Sequence, residues 1–326
     1  MREGLDKVLA AVSRSFYLTI RMLPPSLREV VGLVYLLART SDTVADSAGA
    51  SAEMRLEALR QLGAAIRGCG ARPDFTALAS GVSDPSERIL LEKTGVLLEC
   101  LAAADPEDRV EITWVLDEIL RGQELDLTRF ASGGPGVRSL ATAEELESYT
   151  YSVAGCVGEF WTRICSRHLP GYALGIGLDE LSKLGAAFGK GLQLVNILRD
   201  APVDLANGRC YFPAEELGEI APAELINTPA LSRAVYERWM ARAHICLEDG
   251  LRYIEEVRPW RVRLACFLPW ALGVRTLRLM EHSHPLETVQ RVKVSRKEVR
   301  KLLFFAGVGA LGNTALRQVA SYIKRA

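Results

Sequence analysis

The chain has 326 residues, 49% of them hydrophobic and 25% charged, which is typical of a globular protein and long enough for one large domain or two average ones. Its 40 basic and 40 acidic side chains cancel to a formal net charge of +0. No overall positive field therefore draws it to nucleic acid, and any anion site must be local.

The cysteines and the apolar tracts indicate the cellular compartment of the protein and its relation to membranes. Seven cysteines are scattered through apolar stretches without a CxxC pair, which predicts reduced, buried thiols in a cytoplasmic protein. No secretory signal opens the chain, and the apolar tract LLFFAGVGALG (302–312) is too short to span a bilayer. A membrane-facing surface in that tract stays an open alternative.

Helical hydrophobic spacing recurs along almost the whole chain, so we predict an all-α fold. A long helix is expected to begin near Pro24-Pro25, with Ser26 and Glu29 as a capping box. Further helices are predicted over 51–67, 86–101, 107–121, 143–166, about 179–199, 230–257, 261–281 and 296–325. Composition does not change across the best internal loop, 131–136, so we predict a single domain over 1–326.

Two aspartate pairs carry the strongest chemical signal: Asp42/Asp46 in RTSDTVADS and Asp200/Asp204 in NILRDAPVDLANGR. An i, i+4 spacing puts both carboxylates on one helix face, where they repel by roughly 0.2–0.5 kcal/mol. Mg²⁺ offsets such repulsion, since it takes one or two carboxylates and lets a substrate phosphate complete its shell. We predict a magnesium-diphosphate site on two facing helices. Solvated acidic helix ends are the alternative for either pair alone.

Pro202 interrupts the second of these motifs. Because proline lacks a backbone donor, the helix is expected to kink or end near Leu198 to Asp200. Asp204 would then lie on a displaced turn, out of line with Asp200. Asn207-Gly208 predicts a turn that closes the segment.

Arginines adjoin both motifs and the SRSFY segment. They are Arg14, Arg39, Arg199 and Arg209. A guanidinium group binds phosphate oxygens in bidentate fashion, which suits a diphosphate leaving group. Taken singly, each arginine could instead pair with a neighbouring carboxylate.

Tyr149 comes one turn before a run of small residues in SYTYSVAGCVGEF, among them Ala154, Gly155 and Gly158. A glycine inside a helix costs about 1 kcal/mol relative to alanine. Close approach of a bulky neighbour is the usual compensation. A tight helix crossing and a surface for a hydrocarbon chain are the two alternatives.

The basic run RVKVSRKEV (291–299) precedes the last predicted helix, with Ser295 and Glu298 as a second capping box. Cations near a helix N-terminus oppose the helix dipole, so either a local anion partner or a solvated charge run is expected. The histidines show no ligand spacing. His282 and His284 are expected in an exposed turn, and we assign them no metal.

Four segments together resemble the squalene and phytoene synthase family, the head-to-head trans-isoprenyl diphosphate synthases. They are SRSFYLTIRMLPP, LLARTSDTVADS, SYTYSVAGCVGEF and GLQLVNILRDAPVDLANGRCYFP. The resemblance implies an all-α isoprenoid-synthase bundle around a central cavity, where two aspartate motifs face each other and hold Mg²⁺ with the diphosphates. DTVAD after Ser41 is more similar to squalene synthase than to the doubled aspartate common in phytoene synthases.

The resemblance also implies residue roles. Metal or diphosphate contacts fall on Asp42, Asp46, Asn196, Asp200 and Asp204. Arg39 and Arg199 would grip phosphate, and Tyr149 would lie beside the reacting carbons. Phe16 and Gln193 would line the cavity. Lys293 and Arg296 lie in a run that resembles a flap contacting NADPH, although Ser295 departs from its pattern.

The implied activity is Mg²⁺-dependent condensation of two farnesyl diphosphates to presqualene diphosphate, followed by NADPH-dependent reduction to squalene. Alternatives are an enzyme that makes dehydrosqualene, phytoene, hydroxysqualene or presqualene diphosphate without reduction, and a non-catalytic helical partner protein of the same fold. Farnesyl diphosphate, Mg²⁺ and NADPH are therefore the expected ligands.

Overall fold

The computed structural model describes residues 3–13, 15–47, 49–131, 136–173, 175–226, 229–288 and 292–325. It is almost entirely helical, which confirms the all-α prediction. The chain divides into two compact units, Met1–Gly133 and Gly134–Ala326. A single domain over 1–326 stays a prediction. Among the described residues, no helix has both the length and the apolar character needed to cross a bilayer.

The first unit contains eight helices in its described part: α1 Glu3–Ser13, α2 Ser15–Met22, α3 Pro25–Ala45, α4 Ala52–Ile66, α5 Thr76–Gly81, α6 Pro85–Glu92, α7 Thr94–Ala102 and α8 Pro106–Ala131. Helix α3 is central, because it packs against α4, α6, α7 and α8. Its fully buried side chains include Leu27, Leu36, Leu37 and Val44. Neighbours on several sides therefore hold the helix that carries the first aspartate pair.

Three helix ends in this unit differ from prediction. Pro24 is the N-cap of α3 and no side chain caps it, so the predicted capping box of Ser26 and Glu29 is wrong. Proline at the first helical position suits this start, since its missing N–H has no intrahelical acceptor there. The predicted helix 86–101 is two helices that meet at Lys93. Helix α8 continues past the predicted end at 121.

The second unit contains the remaining helices and the two strands of the described residues. Its elements are β1 Arg138–Leu140, α9 Ala143–Thr150, a π-helical turn Tyr151–Gly155, α10 Cys156–His168, α11 Leu178–Ala206, β2 Arg209–Pro213, α12 Ala214–Leu217, a 3₁₀ turn Pro222–Glu224, α13 Pro229–Glu256, α14 Trp260–His282, α15 Pro285–Thr288, α16 Arg296–Gly309 and α17 Asn313–Arg325. Helix α11 is central and packs against α10, α13, α14 and β2. It carries the second aspartate pair.

Helix α11 runs through Pro202 to Ala206, so it does not end near Leu198 to Asp200, and a kink there stays a prediction. The Tyr236 hydroxyl of α13 donates to the Leu198 carbonyl at 3.1 Å, where the missing proline N–H would have donated. Asp204 is therefore one helical turn beyond Asp200 on the same helix, and it does not lie past the helix end.

The predicted turn at Asn207-Gly208 is confirmed, since Gly208 adopts a positive φ of 78°. Strand β2 follows at once and pairs in parallel with β1, with Arg209 opposite Arg138. Periodicity did not predict these short strands. They matter because the turn and the strand bring Arg209 back towards α11.

Near the end of the chain, the predicted helix 296–325 is two helices separated by a short connection around Gly312. The capping box at Ser295 and Glu298 is confirmed, since each residue accepts a hydrogen bond from the other's backbone N–H. His282 is exposed as predicted, but it is the last residue of α14 and not part of a turn. His284 is buried against the Tyr236 ring, at 4.1 Å between ring centroids, so the exposed-turn prediction is wrong there too.

All seven cysteines are free thiols. Five are buried, namely Cys156, Cys165, Cys210, Cys246 and Cys266. Cys69 is exposed and Cys100 is half-buried, so the prediction of buried thiols fails at these two positions.

Candidate active site

The first aspartate pair lies at the C-terminal end of α3. Asp42 is in the last turn, and Asp46 is the exposed C-cap residue, whose backbone N–H donates to the Asp42 carbonyl at 2.8 Å. The C-terminus of a helix carries partial negative charge, so carboxylates are unfavourable there and a cation is stabilised. This position supplies an electrostatic reason for a cation beside the pair.

Asp42 accepts a hydrogen bond from Gln123 of α8 at 2.7 Å, and Arg39 Nη1 lies 3.6 Å from its other oxygen. Desolvation by the surrounding residues raises the pKa of Asp42 to about 6, and the charge of Asp46 adds to this. Arg39 and Gln123 act in the opposite direction. The carboxylate stays reachable, with 46% of the side chain exposed. Its negative charge is thus only partly compensated at an accessible position.

Arg39 forms an ion pair with Glu87 in the first turn of α6. The pairing of an arginine with a neighbouring carboxylate is the alternative that the sequence left open. Two buried atoms at this site, Arg39 Nε and Gln123 Oε1, have no hydrogen-bond partner within the described structure. One is a cationic donor suited to phosphate oxygen, and the other is an acceptor suited to a metal-bound water.

The second aspartate pair lies in the last two turns of α11. Arg199 binds Asp200 through two hydrogen bonds, Nε to Oδ1 at 3.0 Å and Nη2 to Oδ2 at 2.6 Å. Arg209 of β2 lies 3.5 Å from Asp204 through Nη2 and Oδ1. Each carboxylate therefore has one arginine beside it. That arrangement can hold an anionic phosphate next to a carboxylate-bound cation.

Gln193 and Asn196 precede Asp200 on α11. Asn196 is exposed, and its amide lies 3.5 Å from the Gln193 side-chain oxygen. Asn196 precedes Asp200 by four residues, so the helix places it one turn earlier on the same face. An amide oxygen there adds one more hard donor to the same face of α11.

The donor set fits Mg²⁺ that is completed by substrate. Within the described part of the chain, no three His, Cys, Asp or Glu side chains converge on a point that could hold a metal ion. Mg²⁺ needs fewer protein ligands than that, because it keeps several waters and binds substrate phosphates. Each aspartate pair alone supplies the one or two carboxylates required. Arg39 Nε and Gln123 Oε1, which lack a hydrogen-bond partner within the described structure, give the first pair a free donor and a free acceptor suited to such a ligand.

Tyr149 belongs to α9, and its ring stacks on Tyr211 of β2, with centroids 5.0 Å apart and planes at 23°. The two hydroxyls are 3.4 Å apart. A π-helical turn follows at Tyr151–Gly155, a feature that often marks functional sites. Tyr211 was not among the predicted site residues.

The small residues after Tyr149 pack against α11. A Cβ added at Gly158 would collide with the Gly185 backbone, and one at Gly189 would collide with the Ala154 carbonyl. The tight helix crossing, one of the two predicted alternatives, is thus present at these backbone positions. Substrate contact by Ala154 or Gly158 stays a prediction.

The sequence profile of the family described as squalene/phytoene synthase matches residues 9–298. The chain belongs to this family. It is 28% identical to a squalene synthase of Yarrowia lipolytica over 84% of this chain and 60% of that protein. It is 29% identical to a presqualene diphosphate synthase of Zymomonas mobilis over 76% of this chain and 75% of that protein. The match thus spans about 60% of the yeast enzyme's length.

Solved structures share the squalene/phytoene synthase fold. A complex of TcSQS with the ligand BPH1237 superposes with a TM-score of 0.78 at 21% identity, covering 98% of this chain and 89% of that one. A dehydrosqualene synthase in complex with a ligand gives a TM-score of 0.64 at 23% identity, covering 99% and 96%. The predicted isoprenoid-synthase fold is therefore confirmed.

The remaining predicted site residues lie nearer the two ends of the chain. Lys293 and Arg296 are exposed, and Arg296 is the first residue of α16. The capping box already occupies the Glu298 N–H, and Arg275 binds the Glu298 carboxylate at 2.8 Å. Arg14 and the side chain of Phe16 lie outside the described residues.

Proposed function

We propose that this member of the squalene/phytoene synthase family joins two molecules of farnesyl diphosphate head to head, with Mg²⁺, to give presqualene diphosphate, and then reduces that product to squalene with NADPH. One observation carries the proposal. Each of two long helices has a pair of aspartates in its C-terminal turns with an arginine beside it. Such a set suits the departure of a diphosphate group.

Mg²⁺, when bound, would neutralise charge on the departing diphosphate. The residues proposed to hold it are Asp42, Asp46, Asn196, Asp200 and Asp204. Arg39 and Arg199 would exchange part of their contact with Glu87 and Asp200 for phosphate oxygens. A guanidinium group suits this exchange, because its planar fork matches carboxylate and phosphate equally well.

In the proposed reaction, one farnesyl diphosphate loses diphosphate and leaves an allylic cation. The double bond of the second substrate attacks that cation, and loss of a proton closes a cyclopropane. The released diphosphate takes the proton, either directly or through the Tyr149 hydroxyl, which would accept it while passing its own proton to the diphosphate. Stacking and the neighbouring hydroxyl of Tyr211 hold the Tyr149 ring in place for this step.

The reductive step assigns Lys293 and Arg296 to the phosphates of NADPH, which would supply the hydride. Both side chains are exposed and have no acidic partner within the described residues. Because the capping box uses the Glu298 amide, recognition would depend on these two cations more than on free amides of the helix.

A second candidate function stops at presqualene diphosphate. The Zymomonas mobilis presqualene diphosphate synthase supports it, since the match covers 75% of that protein against 60% of the yeast squalene synthase. The self-capped start of α16 also supports it, because fewer backbone donors remain there for a dinucleotide.

We also propose peripheral membrane association through a surface that we call the outer face of α16, defined by Lys297, Arg300, Phe304 and Gly307 of the helix and by Leu311 just beyond its end. Phe304 is 69% exposed and Leu311 is 78% exposed. A Cβ added at Gly307 would meet nothing within 4 Å, so this face is open. Its basic beginning and apolar end complement an anionic lipid surface.

One product analysis tests these assignments. Purified protein is given farnesyl diphosphate and Mg²⁺, with or without NADPH, and the products are identified by mass spectrometry. We expect diphosphate release only with the metal, presqualene diphosphate without NADPH, and squalene with it. Presqualene diphosphate under both conditions selects the second candidate. Dehydrosqualene or hydroxysqualene would place the chain among the non-reducing enzymes, and no diphosphate release would refute an enzymatic role.

A further inference from the structure

We infer that Tyr236 is a positioning residue for the second aspartate pair. Its hydroxyl replaces the backbone donor that Pro202 lacks and so keeps Asp200 and Asp204 in register on one helix face. The inference rests on the proposed metal role of these aspartates. It assigns Tyr236 no contact with substrate or metal.

The reason lies in the hydrogen-bond pattern of a helix. Each carbonyl accepts from the N–H four residues later, so the Leu198 carbonyl would accept from residue 202. Pro202 has no N–H to give. Leu198 is fully buried, so bulk water is not a ready substitute. The fully buried Tyr236 hydroxyl donates to this carbonyl at 3.1 Å.

Several elements fix the Tyr236 ring. It packs against Phe212 of β2, at 6.0 Å between centroids, and against His284, at 4.1 Å. The hydroxyl also lies 3.3 Å from Met280 Sδ, a weak acceptor. Burial raises the pKa of Tyr236 far above its ordinary value, so the hydroxyl keeps the proton that it donates.

The position of this contact links it to the aspartates. Leu198 precedes Asp200 by two residues, and Pro202 lies between Asp200 and Asp204. Without a donor at the Leu198 carbonyl, this turn must distort or find another partner, since buried carbonyls are almost always hydrogen-bonded. Either change alters the spacing of the two carboxylates. We therefore expect weaker metal binding at the second pair.

A double-mutant cycle isolates the contact. Tyr236→Phe removes the hydroxyl and keeps the ring, while Pro202→Ala supplies a backbone N–H for the Leu198 carbonyl. Binding of Mn²⁺ with inorganic pyrophosphate is followed by electron paramagnetic resonance, and the unfolding free energy by urea titration, for all four proteins. We expect Tyr236→Phe to weaken Mn²⁺ binding about 10-fold with Pro202 present, the low end of what loss of support around metal ligands costs. With Ala in its place the effect should largely disappear.

Tyr253→Phe is the matched control. This tyrosine is also buried in the second unit, but its hydroxyl bonds Tyr172 and Thr162 outside α11. Its substitution should cost the same stability with or without Pro202→Ala and should leave Mn²⁺ affinity unchanged. Any entropic effect of Pro202→Ala on the unfolded chain cancels within the cycle.

The outcomes separate this inference from the proposed function. Equal losses from Tyr236→Phe in both backgrounds would overturn the inference, because packing alone would explain them. Mn²⁺ affinity unaffected by Tyr236→Phe would also overturn it. Wild-type protein that binds no Mn²⁺ with pyrophosphate would refute the proposed metal role, while coupling in the unfolding free energy would still report the Tyr236 contact with Leu198.

Discussion

At the scale of single residues, Asp42 stands out because its charge is poorly compensated. Desolvation raises its pKa to about 6, and the C-terminal end of α3 adds unfavourable partial charge. An ionised carboxylate in this position lowers the stability of the folded protein unless a bound cation compensates its charge. Mutation of Asp42 can therefore separate its effect on stability from its effect on cation binding.

We predict that Asp42→Asn lowers Mg²⁺-dependent diphosphate release by on the order of 100-fold, since it removes a charged metal ligand. The unfolding free energy near neutral pH should hold or rise, because the repulsion with Asp46 is relieved. Pyrophosphate release and urea titration measure the two effects. Asp117→Asn is the control, since Asp117 pairs with Arg67 and not with Arg39 or Gln123, so diphosphate release should be unchanged. Near-normal release at saturating Mg²⁺ would contradict the metal assignment.

The pKa of Asp42 also predicts a pH dependence. In the metal-free protein the folded-state pKa of about 6 exceeds the ordinary 3.8, so the folded state binds the proton more tightly. The stability from this group is full below the ordinary value and is lost as the pH rises through about 6. Metal must displace the same proton, so Mn²⁺ affinity with pyrophosphate should rise as pH increases from about 5 to 7. Asp42→Asn should flatten this step; an unchanged step in the mutant would assign it to another group.

At the scale of secondary-structure elements, the crossing of α10 and α11 depends on residues without side chains. Gly158→Ala would drive a methyl group into the Gly185 backbone, and we expect a loss of about 1–3 kcal/mol in the unfolding free energy. Gly307→Ala in α16 is the matched control, because its added methyl meets nothing within 4 Å. It should raise stability by about 0.5–1 kcal/mol through helix propensity. Equal effects of the two substitutions in urea titrations would contradict the crossing.

Elements set by local signals could be predicted from the sequence. Ser295 and Glu298 form the predicted capping box, because both partners lie within one turn. Pro202 shows the limit of such signals. From the local sequence, the missing N–H of Pro202 predicts that the helix kinks or ends. In the structure the hydroxyl of Tyr236, 34 residues away, donates the missing hydrogen bond and the helix continues. Local patterns also could not predict that Glu87 and Gln123 belong to the candidate site, because these side chains contact α3 only through the packing of α6 and α8.

At the scale of the whole molecule, the net charge is zero but the charge is unevenly distributed, and the C-terminal region is basic. The described residues 292–325 contain a single acidic residue, Glu298, which Arg275 neutralises. The basic residues there are Lys293, Arg296, Lys297, Arg300, Lys301, Arg317, Lys324 and Arg325. Arg317 and Lys324 pair with Glu255 and Glu248, so the unbalanced charge collects at the start of α16. The exposed Phe304 and Leu311 follow it, one within α16 and the other just past the helix end.

We predict that the protein binds vesicles rich in anionic phospholipid and not vesicles of neutral phosphatidylcholine, with affinity falling as salt increases. Phe304→Ser and Leu311→Ser should each reduce binding roughly 10- to 100-fold, because each removes about 1.5–3 kcal/mol of side-chain burial in lipid. Cosedimentation measures the bound fraction. Val110→Ser is the control, since Val110 is 67% exposed on α8 among acidic neighbours and should leave binding unchanged. Binding that ignores the Phe304 and Leu311 substitutions, or that persists on neutral vesicles, would show that the outer face of α16 does not contact lipid.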